Sequence, residues 1–142
     1  MLVADDDPTV RRLVELVLER GGCEVTTAAD GREAIALARR QPFDVLLLDV
    51  QMPGVDGWEV LATLCGEPPA AEAGGAATCP TAAIVMSGHA ATAEALRRGA
   101  RTMLRKPFSP AELLAAVREA AASGPAGADA ARLGPLAAPR AA

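Results

Sequence analysis

Residues 43–54 have the sequence FDVLLLDVQMPG. The apolar run from Phe43 to Leu48 is nearly unbroken, which is typical of a central parallel strand that is covered on both faces. Asp49 follows this run, and the Met-Pro-Gly at 52–54 predicts a turn. A strand of this kind needs helices on both sides of its sheet, so the segment predicts an α/β fold.

Strands and helices alternate outward from this segment. Asp7 before Pro8 predicts the start of a first helix, and the Ser-Pro-Ala-Glu at 109–112 is a capping box that predicts the start of the last one. The predicted strands lie at 2–5, 24–28, 43–48, 82–86 and 101–105, and the predicted helices at 8–20, 31–39, 58–64, 91–98 and 110–122. Five such units predict a doubly wound, flavodoxin-like sheet of five parallel strands in the order 2-1-3-4-5, with helices on both faces.

Polar side chains stand at the ends of four of the predicted strands. Asp5 and Asp6 end the first strand, Asp49 the third, Ser87 the fourth, and Lys106 the fifth. The carboxyl ends of parallel strands share one edge of the sheet, and open α/β folds bind their ligands there. Three carboxylates, a hydroxyl and an ammonium at one edge predict a site for a metal ion and a phosphoryl group.

Length and composition predict one domain with a short tail. The chain has 142 residues, enough for one packed core. We expect the domain to cover residues 1–122, with a long flexible loop at 66–80. Residues 123–142 are rich in Ala, Gly and Pro and have few large apolar side chains, which predicts a disordered tail or linker. The net charge of −4 argues against nonspecific binding to nucleic acid or to an anionic membrane.

Cysteine usage and hydropathy favour a cytoplasmic protein. Cys23, Cys65 and Cys79 are an odd number without a C-x-x-C pair, so we expect reduced thiols and no disulfide framework or zinc site. No apolar run reaches the roughly 20 residues of a membrane span, and no signal-peptide pattern opens the chain.

Four motifs together resemble the receiver domain of bacterial response regulators. They are LVADDD at 2–7, LLLDVQMPGVDG at 46–57, IVMSG at 84–88 and RKPF at 105–108. Each motif is weak alone, but all four occur in order at strand ends, and the resemblance covers residues 1–122.

The resemblance implies a set of functional residues and partners. The cofactor is Mg²⁺, and the phosphoryl group comes from a sensor histidine kinase or a histidine phosphotransfer protein. Such a domain promotes only its own phosphorylation and dephosphorylation, and it acts on a downstream protein target without direct nucleic-acid binding. The resemblance also implies a cis peptide bond before Pro107. By position, it implies Asp5, Asp6, Asp49 and the Gln51 backbone carbonyl as metal ligands, Asp49 as phosphoacceptor, and Ser87 and Lys106 as phosphoryl contacts.

The sequence departs from the family at the output face. Met103 stands three residues before Lys106, where the family usually has a Tyr or Phe whose rotamer couples phosphorylation to the outer face. Methionine has no rigid ring, so it is a poor two-position switch. The stretch from Ser87 to Gly99 is also shorter than usual by about one helical turn. The sequence leaves open whether the domain acts alone or belongs to a longer chain.

Two other functions are compatible with parts of the sequence. Asp5-Asp6-Asp7-Pro8-Thr9 fits the D-x-D-x-T motif of haloacid-dehalogenase-type phosphohydrolases, with Asp5 as nucleophile and Asp7 as the acid. Ser87 and the Lys-Pro at 106–107 would be the later motifs of that family. That alternative leaves Asp49 unexplained, and no acidic pair follows Lys106 as the motif set requires. The second alternative is an interaction module with the receiver fold that is never phosphorylated. Such modules usually lose an acidic residue or the lysine, and none is missing here.

Overall fold

A five-stranded parallel sheet forms the centre of the computed structural model, which describes residues 1–66, 81–89 and 92–122. Strands and helices alternate along the chain. Their bounds are β1 Leu2–Ala4, α1 Pro8–Arg20, β2 Thr26–Ala28, α2 Gly31–Arg40, β3 Val45–Asp49, α3 Gly57–Cys65, β4 Ala82–Ser87, α4 Thr92–Arg97, β5 Thr102–Arg105 and α5 Pro110–Ala122.

The sheet has the order β2-β1-β3-β4-β5, so the predicted topology is confirmed. β3 lies at its centre, with Leu47 paired to Val3 of β1 on one side and to Ile84 of β4 on the other. Every residue of β3 is buried, as its apolar sequence predicts. The connection reverses direction between β1 and β3, which places a crevice at the carboxyl ends of these two strands.

Two apolar layers cover the two faces of the sheet. Leu47 points to the layer that contains Val14 of α1 and Val117 of α5. Leu46 and Leu48 point to the opposite layer, formed with α2, α3 and α4. Successive residues of a strand face opposite sides, so an unbroken apolar strand fits only where both sides are covered.

The helix starts follow the predicted caps. The Asp7 carboxylate accepts a hydrogen bond from Thr9 N at 2.9 Å, and α1 begins at Pro8. Ser109 and Glu112 form the reciprocal bonds of a capping box, at 3.1 Å and 2.8 Å. These bonds satisfy amide groups that have no partner within their own helix.

The element bounds differ from the predictions mainly at strand ends. Asp49 and Ser87 belong to β3 and β4, whereas β1 ends before Asp5. The predicted loop at 66–80, except Gly66, and the predicted tail at 123–142 lie outside the described residues. None of the helices in the described ranges is long and apolar enough to cross a membrane.

The expectation of three reduced thiols is wrong for Cys65, which is disulfide-bonded. Cys23 is a free thiol. An odd number of cysteines without a C-x-x-C pair argues against a framework of several bridges, but it does not exclude one bridge between residues distant in sequence.

Candidate functional site

Lys106 joins two buried carboxylates at the carboxyl edge of the sheet. Its ammonium nitrogen lies 3.1 Å from Asp5 Oδ2 and 3.3 Å from Asp49 Oδ1. Asp5 directly follows β1, Asp49 ends β3, and Lys106 directly follows β5. Three strands therefore bring together side chains that are up to 101 positions apart in sequence.

Asp5 is fully buried, and both of its carboxylate oxygens accept hydrogen bonds from the protein. Oδ1 accepts from Asp7 N at 2.9 Å, and Oδ2 accepts from Lys106. The carbonyl oxygen of Asp5 accepts a further bond from Arg11 Nη1 at 2.7 Å. Asp6, in contrast, is exposed. The structure therefore holds Asp5 in one orientation and leaves the Asp6 carboxylate facing solvent.

The carboxylates of Asp5, Asp6 and Asp49 can supply oxygen atoms that all lie within 4.8 Å of one another. Hard oxygen donors at this spacing suit Mg²⁺, which commonly takes one or two carboxylates together with waters and phosphate oxygens. Three negative charges so close together also repel each other unless a cation lies among them. The donor set therefore fits the divalent cation that the sequence predicts.

Burial and charge shift the ionisation of this cluster. Burial, with the negative charge of Asp5, raises the pKa of Asp49 to about 6, although Lys106 and the Gln51 N–H partly offset the increase. Burial alone would lower the pKa of Lys106, but attraction to Asp5 and Asp49 outweighs it and raises this pKa above its ordinary value. At neutral pH the Lys106 side chain is thus positively charged. Asp49 is mostly ionised, and its ionised form lowers the stability of the folded state.

Ser87 lies at the same edge, at the end of β4. It is buried, with 4% of its surface exposed, and its Oγ accepts a hydrogen bond from His89 N at 3.0 Å. The Ser87 carbonyl accepts from Lys106 N at 2.9 Å, which fixes the end of β5 beside it. Gln51 is exposed, and its N–H donates to Asp49 Oδ1 at 3.3 Å. All six residues predicted for the site therefore lie along the carboxyl edge of the sheet.

Two glycines pack the loop after β3 against neighbouring helices. A Cβ on Gly57 would lie 2.9 Å from Val50 Cα and would overlap the Asp49 carbonyl. A Cβ on Gly31 would lie 2.9 Å from Val55 Cβ. Both distances are shorter than carbon atoms tolerate, so only glycine lets α2 and α3 begin this close to the loop. These contacts position the backbone that carries Asp49.

Two arginines that support the site were not predicted from the sequence. Arg11 lies on the first turns of α1 and bonds back to the Asp5 carbonyl. Arg105 Nη1 donates to the Gly88 carbonyl at 3.1 Å and so holds the loop after β4. The sequence signal for Arg11 was its positive charge in the first turn of α1, which follows the acidic residues 5–7. The peptide bond between Lys106 and Pro107 is cis, as the resemblance implied.

A family model described as the response regulator receiver domain matches residues 1–118. The chain belongs to this family. The receiver domain is 37% identical over 122 residues to an uncharacterized 14.6 kDa protein of Leptolyngbya boryana, a match that covers 84% of the chain and 87% of that protein. It is 46% identical over 69 residues to the probable transcriptional regulatory protein TcrX of Mycobacterium tuberculosis, covering 49% of the chain and 30% of TcrX. The match to the probable transcriptional regulator ycf27 of Cyanophora paradoxa covers 46% of that protein, so the chain spans less than half of these two regulators.

Solved receiver structures have the same fold. The chemotaxis protein CheY4 of Vibrio cholerae superposes with a TM-score of 0.69 at 30% identity, over 84% of this chain and 95% of CheY4. The receiver domain of NtrX from Brucella abortus gives 0.71 at 27% identity, over 84% and 95% of the two chains. This receiver domain is therefore a component of two-component signalling, as the sequence motifs predicted.

The geometry also bears on the alternative of a phosphohydrolase. Asp7, which that hypothesis uses as the acid, caps α1 through Thr9 N and Val10 N. The three carboxylates that can hold a metal are those of Asp5, Asp6 and Asp49, and Asp7 does not belong to this group. An acid whose carboxylate is occupied by a helix end is poorly placed to protonate a leaving group.

Proposed function

We propose that this receiver domain accepts a phosphoryl group on Asp49 from the phosphohistidine of a sensor histidine kinase or a histidine phosphotransfer protein. The observation that carries the proposal is the position of Asp49. Its carboxylate is 3.3 Å from Lys106 and lies within reach of the two other carboxylates, at the edge of the sheet. The domain then signals by altered binding to a downstream protein.

Phosphoryl transfer requires a carboxylate oxygen of Asp49 in its ionised form. One oxygen forms a bond to phosphorus while the phosphorus–nitrogen bond of the donor breaks, and the departing imidazole keeps the electron pair. Charge accumulates on the phosphoryl oxygens during this step, so catalysis consists mainly of alignment and electrostatic stabilisation. The raised pKa of Asp49, about 6, leaves most molecules ionised at neutral pH.

Asp5, Asp6, Asp49 and the Gln51 backbone carbonyl are the residues that we assign to Mg²⁺. The ion supplies positive charge that offsets the carboxylates and the phosphoryl oxygens. Because both oxygens of Asp5 already accept protein hydrogen bonds, we assign direct coordination first to Asp6 and Asp49 and a weaker, water-mediated contribution to Asp5. Asp5 then acts chiefly by orienting Lys106.

Lys106 and Ser87 are assigned to the phosphoryl oxygens after transfer. Lys106 is only one-quarter exposed and is already directed at Asp49, so a small rotation of its flexible chain brings the ammonium to a group attached there. The Ser87 hydroxyl is a hydrogen-bond donor on the adjacent strand. Contacts that form only in the phosphorylated state can shift the domain between two conformations.

We place the domain in the cytoplasm and assign it a protein as downstream partner. Some of its relatives are named as transcriptional regulators, but the matched regions cover less than half of their length. We assign no nucleic-acid contact to residues 1–122, and we do not propose turnover of a small-molecule substrate.

Incubation with acetyl phosphate and Mg²⁺, followed by intact mass and peptide mapping, tests the proposal. We expect one phosphoryl adduct on Asp49, absent from Asp49→Asn and present in the control Asp30→Asn. Asp30 caps α2 and does not belong to the cluster of Asp5, Asp6 and Asp49, and Asn caps a helix as well as Asp does. Steady release of phosphate from monoesters would instead favour a phosphohydrolase. An absence of any adduct and of any turnover would favour a pure interaction module.

A further inference from the structure

Trp58 and Arg98 connect the two helices that follow the candidate site residues Asp49 and Ser87. The guanidinium carbon of Arg98 lies 5.0 Å from the centroid of the Trp58 ring. Trp58 is the second residue of α3, and Arg98 directly follows α4. A guanidinium over an indole face within about 6 Å is an attractive cation–π contact.

The acidic side chain of Glu94 holds Arg98 in place. Glu94 Oε2 accepts a hydrogen bond from Arg98 Nε, and it also lies 3.6 Å from Arg97 Nη2. Glu94 thus pairs with the arginine whose guanidinium lies over the indole. Glu94 and Arg98 are four residues apart and therefore lie on the same side of the helix. We call the contact of Arg98 with Trp58, supported by Glu94, the Arg98–Trp58 latch.

The Trp58 end of the latch is fixed to the acceptor strand. Gly57 N donates to the Val50 carbonyl at 3.0 Å, and a Cβ on Gly57 would overlap the Asp49 carbonyl. No side chain separates the start of α3 from the backbone of Asp49. A shift of the backbone at 49–50 therefore moves α3 and the Trp58 ring with it.

The Arg98 end lies next to a short helix. α4 has six residues, and Ala95 is its one fully buried residue. A helix of this length is not stable without tertiary contacts. The latch thus adds a tertiary contact at the end of α4 to the packing of Ala95 in the core.

We propose that the Arg98–Trp58 latch transmits the state of Asp49 to α4. This inference rests on the proposed phosphorylation of Asp49. α3 leaves the sheet after Asp49, and α4 leaves it after Ser87, so a phosphoryl group that draws these two residues together also changes how Arg98 lies on Trp58. The aromatic side chain that responds to phosphorylation is then Trp58, because position 103 carries a methionine.

The sole tryptophan and the paired arginines allow a matched test. Arg98→Gln removes the cation over the ring, Arg98→Lys keeps a cation there, and Arg97→Gln removes the neighbouring cation that also pairs with Glu94. The first readout is Trp58 emission with and without beryllofluoride and Mg²⁺. The second is amide hydrogen exchange of residues 94–98 in the unmodified protein. Intact mass after acetyl phosphate treatment is measured on every variant.

We expect Arg98→Gln to alter basal Trp58 emission and to speed exchange in α4 roughly two- to fivefold, the factor expected from loss of one exposed cation–π contact. Its emission response to beryllofluoride should fall at least about twofold, with labelling of Asp49 retained. Arg98→Lys should restore part of both readouts, and Arg97→Gln should match the wild type.

Wild-type emission, exchange and response in Arg98→Gln would overturn the latch, whether or not Asp49 is labelled. Equal effects of Arg97→Gln and Arg98→Gln would also overturn it, because general loss of positive charge would then be the cause. Absence of labelling in the wild type would instead refute the proposed function.

Discussion

Asp49→Asn should stabilise the metal-free domain at neutral pH. The carboxylate of Asp49 is buried near Asp5, and its pKa is raised from 3.8 to about 6 despite the attraction of Lys106. A raised acid pKa means that the folded state binds the proton more tightly than the unfolded state does. The ionised carboxylate therefore destabilises the fold, and a neutral amide of similar shape removes that cost.

The size of the effect follows from the pKa shift. The pKa of Asp49 rises from 3.8 to about 6, a difference of about 2. At about 1.36 kcal/mol per unit, it corresponds to about 3 kcal/mol at about pH 8. Below about pH 3, Asp49 is protonated in both states and the gain disappears, while at about pH 5 about half of it remains. Between these limits the stability of the wild type falls as the pH rises.

Urea unfolding measured with a chelator at several pH values between about 5 and 8 tests this prediction. The free energy of unfolding of Asp49→Asn minus that of the wild type should increase with pH, and Asp30→Asn should show no such increase. Saturating Mg²⁺ should reduce or reverse the difference, because the ion stabilises only a folded state that binds it. An Asp49→Asn variant that is less stable than the wild type throughout this range would refute the electrostatic reasoning.

Three further predictions concern the same edge of the sheet. Asp6→Asn should weaken Mg²⁺ binding at least about tenfold in calorimetry, because the ion loses a solvent-facing carboxylate; unchanged affinity would contradict the ligand assignment. Lys106→Ala should slow labelling by acetyl phosphate roughly tenfold or more without abolishing it, and labelling at the wild-type rate would exclude the assigned role of Lys106. Gly57→Ala should lower the unfolding free energy by about 2 kcal/mol or more, because its methyl group meets the Val50 backbone. Gly88→Ala is the matched control and should unfold close to the wild type, because the nearest atom to the added Cβ among the described residues is the Lys106 carbonyl oxygen at 3.9 Å.

The sequence predicted the sheet order because every strand was marked by a local pattern. The apolar run before Asp49 could fit only a strand covered on both sides, and all five residues of β3 are buried. The caps at Asp7 and Ser109 follow from side-chain chemistry within four residues. The convergence of Asp5, Asp49 and Lys106 followed from topology, since parallel strands end at one edge.

The contacts that no local pattern marks were not predicted. Arg11 reaches back six residues to a carbonyl, and an arginine in a helix sequence does not show which oxygen its side chain meets. The stacking of Arg98 on Trp58 joins helices forty residues apart in sequence. The disulfide at Cys65 was wrongly excluded, because cysteine spacing carries little information about distance in space.

Position 103 of this receiver domain carries a methionine, where the family usually has an aromatic side chain that couples phosphorylation to the outer face. The side chain is partly buried and packs against the same apolar layer as Trp58. A methionine adapts its shape to that layer in many conformations, so phosphorylation cannot select between two well-defined rotamers there. Coupling between sites requires an element with two arrangements that differ in contact free energy. The stacking of Arg98 on Trp58 can provide such an element, since it is either made or broken and joins the helix after Asp49 to the helix after Ser87. If the proposed Arg98–Trp58 latch transmits the state of Asp49, the conformational response should therefore be found at the contact between α3 and α4 and not at Met103 in β5.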